Sequence, residues 1–302
     1  MNRLFAYTVT NETAGQTVLD FLRSHGYSHR ILTQLRQTPQ GLLLNGTKPF
    51  GRTILQDGDH LSVHLLEDSS SPSILPVQLP LHILYEDEDL LVVNKDADTP
   101  IHPSQGNYTN TLANAAAWYY QEKGEPFVFR CINRLDRDTT GALILAKNAL
   151  SAALLSRQLQ EQNIRRTYLA IVDGIPPDAG TISLPIARAE GSTILREVNE
   201  EYGEYACTHF ERLDIHDGYS LLELHLDTGR THQIRVHMKA LGYPLIGDYL
   251  YNPDYSRIKR QALHSYQLSF THPITGEPLC FTAPAPEDFV QAFLMENPAR
   301  HR

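Results

Sequence analysis

A carboxylate flanked by cations, Arg134-Leu135-Asp136-Arg137, stands just ahead of the apolar run Ala142-Leu143-Ile144-Leu145-Ala146. Asp136 is the candidate nucleophile: an attacking carboxylate must be ionised, and neighbouring guanidinium groups favour the charged form. A second segment, Thr228-Gly229-Arg230-Thr231-His232-Gln233-Ile234-Arg235-Val236-His237, offers cations and hydrogen-bond donors able to hold such a carboxylate and to grip a phosphate. Arg230 falls at an expected strand-to-helix junction, a place from which side chains reach into clefts. Taken alone, Arg134 to Gly141 also fits a surface turn capped by Asp138 or Thr139, so the surrounding elements have to be read with it.

Those elements alternate irregularly. Thr17 to His25 reads as a short helix stopped by Gly26, and Ser28 can cap a second helix through Arg36 with Ile31, Leu32 and Leu35 inward. Strands are expected at 41–44 and 60–65, separated by turns at Asn45-Gly46 and Asp57-Gly58-Asp59. The polar, Pro-containing stretch 68–78 reads as a linker between a unit at 1–67 and a larger one at 79–302. Beyond it, strands fit Ile83-Leu84-Tyr85, Leu90 to Lys95, Leu143 to Ala146, Tyr168 to Val172, Cys207 to Leu213 and Ser220 to Leu226. Asn148 caps one further helix, and Thr231 is expected to cap another through Leu241, stopped by Gly242. This mixed order predicts an α+β fold built on a large mixed, mostly antiparallel sheet, preceded by a small α/β domain.

Composition limits the class of protein. The chain has 302 residues, 41% hydrophobic and 20% charged, as in ordinary folded domains. No apolar run approaches the roughly 20 residues of a membrane span and the first residues lack a signal core, so a cytoplasmic location is expected. Cys131, Cys207 and Cys280 are too few and too scattered for a disulfide framework or a Cys-x-x-Cys zinc site, and read as buried reduced thiols. His232 and His237 are five apart, unlike helical zinc ligands at four, so no metal site is expected. The net charge is −9, but it is unevenly spread. Arg130 to Arg166 carries seven Lys or Arg against three acids, while Glu67 to Asp98 holds eight acids and Lys95 alone as a base. The basic stretch therefore coincides with the candidate chemistry, and RNA is the expected partner.

Four segments resemble RluA-type pseudouridine synthases, in that family's order. They are Asn133-Arg134-Leu135-Asp136-Arg137-Asp138-Thr139-Thr140-Gly141, the stretch Arg166 to Gly174 containing Tyr168, the segment Thr228 to His237 with Gly247-Asp248, and Leu263-His264-Ser265-Tyr266. Two departures stand out: Asn133 where the family often has His, and Lys95-Asp96-Ala97-Asp98 where it often has Lys-Pro-Ala-Gly. The N-terminal helix-helix-strand order, with Ser28-His29-Arg30, Leu43-Leu44-Asn45-Gly46 and Asp57-Gly58-Asp59, resembles the alpha-L, or S-four type, RNA-binding domain.

The resemblance implies isomerisation of uridine within RNA, the base being detached, turned and rejoined through a ring carbon. Asp136 would be the essential carboxylate, attacking the anomeric carbon or the uracil ring or removing a sugar proton. Tyr168 would stack on the uracil, with acceptance of the proton released from the ring carbon as its alternative role, and Arg230 would pair with Asp136 and orient it. Arg134, Arg137, Arg165, Arg166, His232 and Arg235 are expected to contact RNA, with Arg30 and Arg36 doing so from the N-terminal unit. No cofactor is expected. A monomer acting on large-subunit ribosomal RNA rather than transfer RNA is the leading expectation. Other classes weighed are a noncatalytic RNA-binding or ribosome-assembly protein and a carboxylate-dependent glycoside hydrolase, which needs a second acid across a sugar pocket.

Overall fold

A computed structural model describes residues 2–296. It begins with β1 (Asn2–Thr8), α1 (Val18–Ser24), α2 (His29–Gln37), β2 (Leu42–Leu44) and β3 (His60–Leu66). The expected caps are made: Thr17 Oγ1 accepts from the Asp20 N–H and Ser28 Oγ from the Ile31 N–H. The three strands form an antiparallel sheet in the order β1-β3-β2. Strand β1, absent from the sequence expectation, alternates sides with Phe5 buried at its centre, and Tyr7 packs against the same core.

The remaining elements are β4 (His82–Glu86), β5 (Leu90–Lys95), α3 (Leu112–Glu122), β6 (Thr140–Ala146), α4 (Ala149–Gln160), β7 (Arg165–Asp173), β8 (Ala179–Ser183), β9 (Ile186–Arg188), β10 (Arg196–Val198), β11 (Cys207–His216), β12 (Tyr219–Leu226), α5 (Gln233–Ala240), β13 (Leu263–Thr271), β14 (Pro278–Thr282) and α6 (Glu287–Leu294). A nine-stranded sheet runs β4-β5-β6-β13-β7-β12-β11-β8, with β14 also on β13. Every pairing in it is antiparallel except β6 with β13, so the expected α+β class with a mixed, mostly antiparallel sheet is the fold observed. The ends of the two units expected from the sequence, residues 1 and 297–302, lie outside the described residues.

The N-terminal core is completed by α4, whose Leu150 is buried among Phe21, Leu22 and Tyr27. Arg3 ties the two parts together, donating to both Asp89 carboxylate oxygens at 3.1 and 2.9 Å. Among the described residues no helix is long and apolar enough to cross a membrane. The three cysteines are free, as expected, but Cys280 is exposed on β14 and Cys131 is half-buried, so only Cys207 is the buried thiol foreseen for all three.

The lone parallel pair explains the glycine of the first motif. Gly141 has φ +113°, and a Cβ there would lie 2.2 Å from the Ser265 carbonyl oxygen. Only glycine permits both the backbone angle and the approach of β6 to β13. Gly141→Ala is expected to cost more than about 2 kcal/mol, read as a lowered urea midpoint, because the clash is with backbone. An unchanged midpoint would show that the two strands can part without cost.

Glu86 fastens β4 to α3, which packs on the same face of the sheet as Tyr168. Its carboxylate accepts from Tyr119 at 2.5 Å, Tyr120 at 3.0 Å, and Lys123 and Lys147 at 2.9 Å. Burial pushes this carboxyl up, but the bonds from Lys123, Tyr119 and Lys147 outweigh burial and hold it down at about 2, against an ordinary 4.5. A depressed acid contributes stability that is present above the unfolded value and lost as pH falls through the folded one. Folding stability from Glu86 is therefore expected to drain away between pH 4.5 and about 2. In an acid titration followed by circular dichroism, Glu86→Gln should flatten this portion of the loss; a curve parallel to wild type would remove Glu86 from the account.

Candidate active site

Asp136 is set by a loop held at both ends. At its start, the Ile132 N–H donates to Ile144 O at 2.9 Å, and Asn133 is buried with Oδ1 accepting from the Ile144 N–H at 2.9 Å. The Asn133 departure thus keeps a side chain that pins the loop to β6. At the far end, the Thr139 N–H closes a turn on Asp136 O. Between these points Lys95 reaches in from β5: Nζ donates to Asp96 O at 2.8 Å, Thr99 O at 3.0 Å and Arg137 O at 2.7 Å. Burial pulls this ammonium down to about 7, with Asp138 and Asp136 opposing the shift. Three carbonyls match the three hydrogens of the charged form. Lys95, the residue this segment shares with the family pattern, therefore forms a buried clamp on the loop that carries Asp136, while the departing residues Asp96 and Asp98 stand exposed beside it.

The guanidinium that meets Asp136 belongs to Arg235, not to Arg230. Arg235 Nη1 donates to Asp136 Oδ2 at 2.7 Å, while Nε and Nη2 grip Asp248 at 2.7 and 2.8 Å. Arg235 is 1% exposed and Asp248 fully buried, with the rings of Tyr249 and Tyr251 about the guanidinium at 5.5 and 5.1 Å. An Arg so enclosed cannot also reach RNA phosphates, which corrects its expected role. Arg230 turns away: Nε donates to Tyr205 O at 3.0 Å and Nη1 pairs with Glu204.

The cause lies at the start of α5. Thr231 does not cap this helix; His232 takes that position with φ 59° and no capping bond. Gln233 organises the turn instead, its Oε1 accepting from Thr228 Oγ1 at 2.7 Å and the Arg230 N–H at 3.0 Å, and its Nε2 donating to Cys207 O at 2.9 Å. This fastening leaves Gln233 to Met238 buried as a block and directs Arg235 inward. Leu241, the expected last residue of this helix, is exposed just past its end.

These groups line an open cleft of about 860 Å³, walled by Asp136, Arg134, Tyr168, Arg166, Arg230 and His232 among others. Tyr168 is 5% exposed on β7. Burial pushes its phenol up, with Arg166 and a bond to Ser265 working against the rise. A phenol raised in this way is a poor proton acceptor, so the ring's place on the cleft wall suits stacking. Tyr168→Phe is accordingly expected to keep product formation within about tenfold of wild type in single turnover, as befits a stacking ring; a loss beyond a thousandfold would assign the proton transfer to the hydroxyl. His232 stands 3.8 Å from Asp136 with Nδ1 bonded to the Tyr251 hydroxyl at 3.0 Å, and burial lowers its pKa. His237 is fully buried between Thr208 and Leu184 O and is structural.

The other arginines divide by their partners. Arg134 lines the cleft, Arg165 is exposed, and neither makes an ion pair among the described residues. Arg166 donates to Leu226 O and Thr228 O, Arg137 is engaged by Asp138, and Arg130 by Glu67. Arg30 and Arg36 stand exposed on α2.

Residues 89–240 match the family described as RNA pseudouridylate synthase. The chain is 39% identical to the uncharacterized RNA pseudouridine synthase YjbO of Bacillus subtilis (strain 168), over 93% of this chain and 99% of the relative. It is 40% identical to ribosomal large subunit pseudouridine synthase D of Haemophilus influenzae, over 70% of each chain. The solved structure of human RNA pseudouridylate synthase domain containing 1 superposes with a TM-score of 0.58 at 31% identity, covering 68% of this chain and 84% of that one. The protein belongs to the RNA pseudouridylate synthase family. Within it the chain is of the RluA type, an isomerase that acts on uridine in RNA.

Proposed function

We propose that this enzyme isomerises uridines of large-subunit ribosomal RNA, with Asp136 as its essential carboxylate. The observation that carries the catalytic part is the bond from the buried Arg235 to Asp136 at the wall of the cleft, beside Tyr168. Pre-ordering of this kind aims a charged group without reorganisation during reaction. A stacked uridine cannot present its glycosidic bond to Asp136, so the target base is unpaired or flipped, at a cost of a few kcal/mol. Stacking on Tyr168 offsets part of that cost. Arg134 and Arg165, which have no carboxylate partner among the described residues, serve as phosphate contacts, and Arg166 shapes the cleft wall.

The ribosomal assignment draws on the substrate named for several relatives, including the Haemophilus influenzae enzyme. It draws also on the N-terminal unit, residues 1–67, read as an alpha-L-type RNA-binding domain whose Arg30 and Arg36 face solvent. Residues 68–78 are its linker to the catalytic domain, 79–302. The enzyme works as a cytoplasmic monomer. The deciding test maps pseudouridines in total RNA from cells lacking the gene, with rescue by wild type or Asp136→Ala. Sites in ribosomal RNA restored by wild type alone support the proposal; sites confined to transfer RNA redirect the substrate, and rescue by Asp136→Ala removes Asp136 from the chemistry.

A further inference from the structure

Strand β11 begins with Cys207-Thr208-His209, and the i, i+2 spacing places the thiol and the imidazole on one face. Asp227 follows the neighbouring strand β12 and reaches the same face. Cys207 Sγ and His209 Nε2 are 3.6 Å apart, His209 Nε2 and Asp227 Oδ2 are 2.9 Å apart, and the three candidate ligand atoms all lie within 4.8 Å of one another. A tetrahedral zinc ion with Zn–S about 2.3 Å and Zn–N about 2.0 Å separates its sulfur and nitrogen ligands by about 3.5 Å, which is nearly the spacing found. The imidazole is also fixed from behind: His209 Nδ1 and Thr181 Oγ1 on β8 lie 3.0 Å apart, so a proton on Nδ1 can bond to the hydroxyl while Nε2 faces the other two ligands.

We propose that Cys207, His209 and Asp227 form a binding site for one zinc ion, with a fourth position left for water or an anionic ligand. Thiolate, carboxylate and neutral imidazole supply two negative charges to a dication, and binding releases one proton from Cys207 Sγ. Affinity consequently rises with pH. The site is distinct from the Asp136 centre but adjoins it, because Asp227 lines the same cleft and the Cys207 backbone is bonded to Thr228 and Gln233 at the root of α5. An ion here would cross-link the ends of β11 and β12 where the chain turns toward Arg230.

The full chain, freed of metal with a chelator, is titrated with zinc against a chromophoric indicator and in parallel with cobalt. One ion per chain and a thiolate-to-cobalt charge-transfer band are expected. Cys207→Ser should abolish the band, and His209→Ala and Asp227→Asn should each weaken zinc by more than about tenfold. His225→Ala, a change to a histidine whose bonds go to Glu223 and Thr167, should leave affinity unchanged. The partly exposed Asp227 can be changed with little risk to folding, so Asp227→Asn decides the matter if Cys207→Ser does not fold. Absence of binding, or binding that these three changes leave untouched, overturns the proposal.

Discussion

Asp136→Asn should reduce pseudouridine formation by on the order of ten-thousandfold or more while leaving RNA affinity within about twofold, since losses of that size follow removal of a nucleophile or essential base. The substitution keeps the side chain's volume and a hydrogen-bonding partner for Arg235, so the cleft should keep its shape. It removes the charge, and with it any capacity to attack carbon or to take a proton. Of the acids lining the cleft, the other is Asp227, which is engaged by His209. The measurement is single-turnover conversion of an RNA substrate, with filter binding alongside. An Asn variant within tenfold of wild type would mean that the carboxylate is not the reacting group.

Arg235→Met should act on both stability and rate. Asp248 is fully buried and depends on two of the Arg235 nitrogens, so the substitution strands a buried carboxylate at a cost of about 3–5 kcal/mol. Asp136 loses its anchor in the same step, and a displacement of about 1 Å at a reacting group is worth roughly a hundredfold in rate. The two effects can be separated. Adding Asp248→Asn to Arg235→Met should restore much of the melting temperature without restoring turnover, because Asp136 remains unheld. Recovery of both together would indicate that the single variant was slow only because it was unfolding. Arg235→Lys should also be slow, since one ammonium cannot bridge two carboxylates in the manner of a planar fork.

How far the sequence could lead is clearest at these same residues. Asp136, Tyr168 and Asp248 stand in segments that the resemblance to the RluA-type family assigned to one site, and the structure brings Asp136 and Tyr168 to one cleft with Asp248 behind Arg235. The choice between two arginines was not legible. Arg230 precedes a helix and Arg235 lies one turn into it, and only the Gln233 bonds, which depend on β11, decide which one points inward. Read as amphipathic, α5 should have put Arg235 in water; its six-residue buried block breaks that pattern. The short strands β9 and β10 have three residues each and pair with one another rather than with the main sheet, which is too little for an alternation to register. Helix α3 did carry a signal: Thr111 and Asn114 form a reciprocal capping box, with Asn in the place of the more usual Glu.

The parallel contact of β6 with β13 also bears on how the enzyme comes into being. Thr140 and His264, bonded across that contact at 2.8 Å, are 124 residues apart in sequence. Asp136 enters the sheet through β6, yet β13 supplies Ser265 to Tyr168 and stands between β6 and β7. Closing so long a loop is entropically slow, and the two halves of the cleft stay unjoined until it happens. Asp136, Tyr168 and Arg235 all precede β13 in the chain and so leave the ribosome before it, and activity is expected to appear only once β13 has entered the gap.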